Sequence, residues 1–127
     1  MSNNTPEKTT PKNNTRPWGN YNVLLDTDYC KVKQITVKPN QRLSYQRHEK
    51  REEYWTIVKG QATVTLNDKE TVLSEGQQIH IPLQTNHRIA NKFSEPLIFI
   101  EIQRGSYFGE DDIIRIEDDY GRIKDNH

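Results

Sequence analysis

The chain has 127 residues and a mass of 15.0 kDa, enough for one domain with a modest core and too little for a second catalytic lobe. Its 18 Lys and Arg balance 18 Asp and Glu, so no overall field draws it to nucleic acid or an anionic membrane. The longest apolar run is residues 97–100, far below the roughly 20 residues of a membrane span, and no apolar secretion segment opens the chain. The lone Cys30 excludes an internal disulfide. We therefore expect a cytoplasmic protein with no nucleic-acid or membrane partner.

The first segment, residues 1–15, differs in composition from the rest of the chain. It contains no aromatic residue and no apolar residue beyond Met1. Such a segment cannot bury enough apolar surface to repay its ordering entropy. We expect a disordered tail over residues 1–15 and one folded domain over residues 16–127.

From residue 16 onward, short apolar runs alternate with turn residues. The runs are strand-length and rich in Val, Ile, Thr and aromatic residues: CKVKQITV, EYWTIVKG, QATVTLND, ETVLSEG, QIHIP and EPLIFIEIQ. Turn residues such as Lys59-Gly60 and Asn67-Asp68 separate them, and no window keeps helical spacing beyond a turn or two. About eight short strands of this kind predict an all-β sandwich or barrel.

The last segment, GEDDIIRIEDDYGRIKDNH, is acidic and carries an isoleucine patch. It has two interpretations, a helix that begins at Asp111 or a last strand across the mouth of the barrel. Because β-branched residues dominate its apolar positions, we predict the strand.

Residues 43–60 crowd an imidazole, several carboxylates and an amide around the start of a predicted strand. Residues two apart in a strand face the same side, so Gln46 and His48 point together if this segment is extended. Glu53 can return to them from the next strand, and His87 follows a hairpin marked by Gly and Pro. Two imidazoles, a carboxylate and an amide oxygen that converge inside a barrel form a site for one divalent metal ion.

These four donors leave a divalent ion with a net charge of +1, because Glu53 alone among them is charged. Such an ion stays electron-poor and polarises a bound oxygen, which favours Lewis-acid chemistry. A hydrogen-bonded polar cluster in the core is the alternative for His48, Glu53 and His87. Gln46 is the weakest donor, and its alternative is to hold a ligand side chain in place.

The spacing of these residues resembles the two cupin motifs. The motifs read Gln46-x-His48-x4-Glu53-x6-Gly60, with Gln46 where most cupins carry a histidine, and Gly76-x5-Pro82-x4-His87-x3-Asn91. Within the cupins, the chain resembles the C-terminal mannose-6-phosphate isomerase domain of type II phosphomannose isomerase/GDP-mannose pyrophosphorylase. The segments that carry this likeness are RPWG, LSYQRH, EYWTIVKG, HIPLQTNHRIAN and EIQRGSYFGEDDIIRIEDDYGR. The likeness extends over residues 16–122.

The resemblance implies a cupin jelly-roll β-barrel that interconverts mannose 6-phosphate and fructose 6-phosphate. It also implies one divalent metal ion on Gln46, His48, Glu53 and His87, with zinc expected first and manganese, cobalt, nickel or iron as alternatives. Two departures stand out. Family members often carry a histidine-rich stretch where this chain has residues 49–51, and no segment here matches a nucleotidyltransferase, so guanylyl transfer is not expected.

Aldose–ketose isomerisation moves a proton between adjacent carbons through an enediol, which requires a base. Glu101 is the first candidate, because its carboxylate interrupts an otherwise apolar strand and has reason to face a polar cavity. A carboxylate at the rim, paired with Arg88 or Arg104, is the alternative. His80 is the second candidate base, with a structural role as its alternative.

The phosphate of the substrate requires cationic donors at the mouth. Arg88 is the first candidate because it follows His87 directly, and the others on nearby segments are Lys50, Arg51 and Arg104. Tyr107 and the acidic run 110–112 are candidates for a lid that excludes water, with a solvated acidic loop as the alternative.

Two other functions compete with the isomerase. One is a non-catalytic cupin that binds a sugar or nucleotide sugar, and the other is a redox cupin that uses iron and oxygen. The tail that resembles a sugar-phosphate isomerase and the mix of Gln and Glu ligands weigh against the redox enzyme.

Cupin sandwiches commonly pair, so we also expect a homodimer.

Overall fold

The computed structural model describes residues 14–123. The tail predicted over residues 1–15 lies outside the described residues except at its last two positions. Of these, Thr15 belongs to the first strand, where it pairs with Asn20. Residues 14–123 include no helix long and apolar enough to cross a membrane.

The described chain folds into twelve β-strands and contains no α-helix. The strands are β1 (Thr15–Arg16), β2 (Gly19–Asp26), β3 (Lys31–Val37), β4 (Gln41–Arg42), β5 (Tyr45–Arg47), β6 (Arg51–Lys59), β7 (Ala62–Leu66), β8 (Lys69–Leu73), β9 (Gln78–Ile81), β10 (His87–Asn91), β11 (Leu97–Gly105) and β12 (Ile114–Glu117). The predicted all-β class is therefore confirmed. The strand predicted in the acidic tail is confirmed as β12, so the helical alternative is wrong.

The strands form two antiparallel sheets of six strands each. The first has the order β1-β2-β3-β11-β6-β9, and the second has the order β12-β5-β10-β7-β8 with β4 paired to β10. Neighbours in sequence are often separated in a sheet, as where β11 lies between β3 and β6. This arrangement brings distant segments of the chain side by side.

The two sheets enclose a core that is apolar at one end and polar at the other. In β6 and β11, Trp55, Ile57 and Phe99 are at most 3% exposed and pack in the apolar cluster. Two residues further along the same inward faces lie Glu53 and Glu101, which are also buried. Because side chains alternate along a strand, one inward face supplies both the core and the polar site.

Gly60 permits the tight turn that ends β6. Its φ of +84° is a conformation that residues with a side chain rarely adopt, and a Cβ there would lie 2.6 Å from the carbonyl oxygen of Pro96. This glycine is the last position of the first motif. It brings the end of β6 against the start of β11, in the register that joins Phe99 to Ile57.

Candidate metal centre and substrate cavity

Three of the four predicted metal ligands converge in the interior. Glu53 lies on β6 and His87 on β10, while His48 follows β5. One potential ligand atom from each residue lies within 4.8 Å of the others, and all three side chains are at most 4% exposed. The structure thus brings together residues that the two sequence motifs supply from separate segments.

The electrostatic environment leaves these side chains in the protonation states that a metal ion requires. Burial lowers the pKa of His48 to about 4 and also lowers the pKa of His87, so both imidazoles are neutral at pH 7. Burial alone would raise the pKa of Glu53, but the positive charge of Arg51, first among the opposing causes, holds it below its usual range. The cluster therefore offers two neutral nitrogens and one carboxylate.

The residues present fit a divalent metal ion in donor type and number. Nδ1 of His87 lies 2.9 Å from the carbonyl oxygen of Thr85, a hydrogen bond that leaves Nε2 as the ligand atom. Arg51 donates to Oε2 of Glu53 at 2.9 Å, and its Nη2 lies 3.0 Å from Nε2 of His48. The guanidinium of Arg51 thus stabilises the ionised carboxylate of Glu53 and contacts one ring nitrogen of His48.

Gln46 lies beside the cluster. It pairs with His87 across β5 and β10, so the two side chains lie on the same face of the sheet. Its amide nitrogen donates to Oγ of Ser44 at 3.0 Å, which leaves the carbonyl oxygen as the atom that it can offer to a ligand. Its role as a fourth ligand stays a prediction.

Glu101 is buried and borders the cluster. Burial first, and the charge of Glu53 second, raise its pKa to about 7. Nε2 of Gln103 donates to its Oε2 at 2.7 Å, which fixes the orientation of the carboxyl group. Among the described residues, Arg88 and Arg104 pair with other carboxylates, so the alternative of a rim carboxylate is wrong.

His80 does not face this site. In β9 the neighbouring Ile79 and Ile81 point toward the core, so His80 points to the outer face, where its side chain is 45% exposed. There it stacks on Tyr54 and pairs with Glu52 at 2.7 Å. Its candidacy as a base is therefore corrected to a surface contact.

Arg88 also points away from the ligand cluster, because it alternates with His87 along β10. It shares the outer face of the sheet with its register partner Thr65. Its guanidinium donates to the carbonyl oxygen of Leu43 at 2.9 Å and to Glu117 at 3.2 Å. Although Arg88 borders the cavity, its donors are already engaged, which disfavours the predicted role in phosphate binding.

The ligand cluster borders a cavity of about 90 Å³. Basic residues outnumber acidic ones along its walls. The basic residues are Arg16, Lys33, Arg51, Arg88, Arg115 and Arg122, and the acidic residues are Glu53, Glu101 and Glu110. Of the six cations, sequence analysis selected only Arg51 and Arg88. Arg115 and Arg122 lie in the C-terminal segment that carries the family resemblance. That resemblance is the sequence signal that could have identified them as cavity residues.

The remaining cationic candidates lie outside the cavity walls. Arg104 is exposed and contacts Glu52, and Lys50 lies over the ring of Tyr107. The segment predicted as a lid does approach the cavity. Within it, Glu110 pairs with Lys33 at 2.6 Å and lines the cavity, and Asp112 accepts hydrogen bonds from two backbone amides after β5.

The chain matches a known protein family over most of its length. Residues 3–118 match the family described as "Mannose-6-phosphate isomerase C-terminal". The alginate biosynthesis protein AlgA of Pseudomonas aeruginosa is 51% identical over 107 residues, which are 84% of this chain and 22% of that protein. A mannose-1-phosphate guanylyltransferase of Escherichia coli is 49% identical over 84% of this chain and 23% of its own length. The chain thus spans less than a quarter of the length of these relatives.

Solved structures show the same fold at lower identity. CapF, a capsular polysaccharide assembling protein of Staphylococcus aureus, has a TM-score of 0.72 and 21% identity over 82% of this chain and 33% of its own. A Klebsiella pneumoniae protein with a double-stranded β-helix domain has a TM-score of 0.68 and 23% identity over 86% of this chain and 85% of its own. These and further neighbours, among them a cupin domain, show that the two sheets form a cupin barrel. With 116 of its residues matched by the family, this chain belongs to the mannose-6-phosphate isomerase C-terminal family.

Proposed function

We propose that the protein is a metal-dependent aldose–ketose isomerase that interconverts mannose 6-phosphate and fructose 6-phosphate. One observation carries the proposal: a buried cluster of metal-ligand type lies beside a buried carboxyl group, Glu101, whose pKa of about 7 suits proton transfer at neutral pH. The names of the family and of its relatives supply the substrate class. Because the chain spans less than a quarter of those relatives, their whole activities are not assumed for it.

The proposed metal site consists of His48, Glu53 and His87, with Gln46 as a fourth ligand. When bound, a divalent ion supplies a Lewis acid that polarises the oxygens of the substrate. Zinc is the first expectation, since imidazole and carboxylate ligands in this number are typical of its sites.

Glu101 is the proposed base. Its raised pKa lets the carboxyl group exchange a proton near neutral pH, so the group can take a proton from one carbon and return it to the next. Gln103 holds the carboxyl group through its 2.7 Å hydrogen bond. The barrel walls around Glu101 limit access of water, which keeps the proton available for return to the substrate.

Two buried polar atoms near Glu101 are suited to substrate hydroxyls. Nη1 of Arg51 and Oε1 of Gln103 have no hydrogen-bond partner within residues 14–123. An unmet buried donor and an unmet buried acceptor are costly unless a ligand satisfies them. The hydroxyl groups of an open-chain sugar can act as partner to both, which would orient the chain for proton transfer.

The cationic walls of the cavity support a phosphorylated substrate, because the chain as a whole is neutral and the excess of basic residues is local.

We extend the proposal to a cytoplasmic homodimer that supplies precursors for polysaccharides. Support for the pathway comes from the relatives described as alginate and xanthan biosynthesis proteins.

The test compares metal content with turnover in matched histidine variants. We expect the purified protein to contain about one metal ion per chain by mass spectrometry and to isomerise mannose 6-phosphate in a coupled assay. His87→Ala should lose metal and activity together, because the three remaining ligands, two neutral donors and one carboxylate, hold the ion weakly. His80→Ala is the control, since it removes an imidazole on the outer face and should leave both unchanged.

Two outcomes contradict different parts of the proposal. Stoichiometric metal without turnover in the wild type would refute the isomerase and favour a sugar-binding module. Turnover that survives exhaustive chelation would refute the role of the metal and leave the reaction standing.

A further inference from the structure

Arg115 is a cavity residue to which no role has yet been assigned. It lies on β12 and pairs with Gln46 of β5, so its side chain shares the face that carries the ligand cluster. It lines the cavity together with Arg16 and Arg122. The same register places Arg88 and its partner Glu117 on the other face of the sheet. Arg115 is therefore the arginine of this sheet that points inward.

The guanidinium of Arg115 lacks a partner among the residues that the structure describes. Its Nε is buried without an acceptor, and within residues 14–123 the side chain of Arg115 forms no hydrogen bond or ion pair. Asp118, the acidic group that acts on its pKa, accepts three hydrogen bonds from Arg122, between 2.6 and 2.8 Å. Burial and the charges of Arg122 and Arg16 lower the pKa of Arg115, while Asp118 acts in the opposite direction. Charges of one sign gathered at a partly buried place are destabilising unless an anion joins them.

We propose that Arg115 anchors the phosphate of a sugar phosphate monoester on the β12 side of the cavity, with Arg16 and Arg122 adding positive charge. This inference rests on the proposed function and deepens it, because it assigns the group that distinguishes a sugar phosphate from a sugar. An arginine suits the role, since its planar fork of donors matches two phosphate oxygens.

The position of Arg115 suits a hexose 6-phosphate. Gln46 pairs with Arg115 on one side and with His87 on the other, so two strand spacings separate these residues. Their backbones are therefore roughly 10 Å apart. A hexose 6-phosphate carries its reacting carbons at one end and its phosphate at the other. With the reacting end at the ligand cluster, the phosphate would lie toward β12.

The test measures anion binding without relying on turnover. Inorganic phosphate, mannose 6-phosphate and unphosphorylated mannose are titrated into the purified chain by calorimetry, with a chelator present so that no metal ion binds the phosphate. The variants are Arg115→Gln and, as a control, Arg47→Gln. Arg47 is the next residue of β5 after Gln46, alternates to the outside and pairs with Glu49.

We expect Arg115→Gln to weaken binding of phosphate and of mannose 6-phosphate roughly tenfold or more, as for the loss of a charge-assisted pair of hydrogen bonds. Arg47→Gln should change it by less than about twofold, since exposed charges act weakly. Binding of mannose should not respond to either variant. Arg115→Lys keeps the charge without the fork and should fall between wild type and Arg115→Gln.

Thermal unfolding separates a binding role from a structural role. Without ligand, Arg115→Gln should raise the Tm, because it removes a repelled and partly buried charge. Phosphate should raise the Tm of the wild type and leave that of Arg115→Gln almost unchanged. A lower Tm without ligand would show that Arg115 supports the fold and would overturn the proposal.

Other outcomes also decide the matter. Absence of phosphate binding in the wild type, or equal weakening in Arg115→Gln and Arg47→Gln, would overturn the anchor. Tighter binding of GDP-mannose than of mannose 6-phosphate would overturn the assignment of a sugar phosphate monoester as the ligand. Phosphate binding that depends on Arg115, in a protein without isomerase turnover, would support the anchor while refuting the proposed reaction.

Discussion

Replacing Glu101 by Gln should stabilise the metal-free protein while abolishing most of the proposed isomerase activity. Glu101 is 6% exposed, and both burial and the nearby charge of Glu53 disfavour its ionised form. Gln has nearly the same shape, can still accept the hydrogen bond from Gln103, and carries no charge to bury. The variant therefore removes the cost of ionising Glu101 and little else.

The magnitude follows from the two pKa values. In the folded state the pKa of Glu101 rises from 4.5 to about 7, a difference that corresponds to about 3 kcal/mol. A raised pKa in the folded state means that the stabilising contribution is complete below about pH 4.5. It is lost as the pH rises through 7. Relative to wild type, Glu101→Gln should therefore gain about 3 kcal/mol above pH 7 and nothing near pH 4.

The assay is denaturant unfolding in a chelator between pH 4 and pH 8, because metal binding would mask the effect. His48 and His87 titrate in both proteins, so the difference between variant and wild type isolates Glu101. Glu95→Gln, which removes an exposed carboxylate before β11, is the control and should show no such difference. With metal bound, Glu101→Gln should lower kcat of the proposed isomerisation at least about a hundredfold. Equal or lower stability of the variant at pH 8 would refute the claim that ionised Glu101 destabilises the fold. An unchanged kcat would refute the role of Glu101 as the base.

Two further predictions concern Arg88 and the N-terminal segment. Arg88→Ala should lower stability by about 1 to 3 kcal/mol in denaturant unfolding, since it leaves the carbonyl of Leu43 and the carboxylate of Glu117 without their donor. It should raise KM for mannose 6-phosphate less than Arg115→Gln does. A larger rise in KM than that caused by Arg115→Gln would indicate that Arg88, and not Arg115, binds the phosphate. Deletion of residues 1–13 should leave Tm and metal content unchanged, because their composition cannot build a core, and a large loss of either would show that they belong to the fold.

The fold class and the ligand cluster were predictable because their signals are local. Runs of β-branched residues between turns specify strands one at a time, and the strand of the acidic tail followed from the same preference. His48 and Glu53 lie on consecutive segments joined by a short connection, so their approach required no knowledge of distant pairing. His87 was added by the spacing of the second motif.

The orientation of two candidate residues could have been predicted and was not. If His87 points inward, the next residue, Arg88, points outward by simple alternation. His80 lies between two isoleucines, whose inward preference turns the histidine out. In both cases alternation along the strand, and not the chemistry of the side chain, determines the face to which the residue points.

The place of Arg115 could not be predicted in this way. It depends on the register of β12 against β5, strands that are far apart in sequence and paired over only a few residues. An irregularity in that register after Arg115 makes simple counting unreliable as well. Only the folded arrangement shows that this arginine lies opposite Gln46 and lacks a partner within the described chain.

Trp55 joins the apolar core to the polar site, so stability and chemistry are coupled there. Its ring packs against Phe99 at a centroid distance of 5.3 Å and meets the ring of His87 edge-on at 5.6 Å. Its indole nitrogen donates to Oε1 of Glu53 at 2.9 Å, which fixes the carboxylate on the side away from Arg51. A smaller residue at position 55 would open a core cavity and release two ligand side chains at once. The rigidity of the ligand cluster therefore derives from the same side chain that fills the barrel.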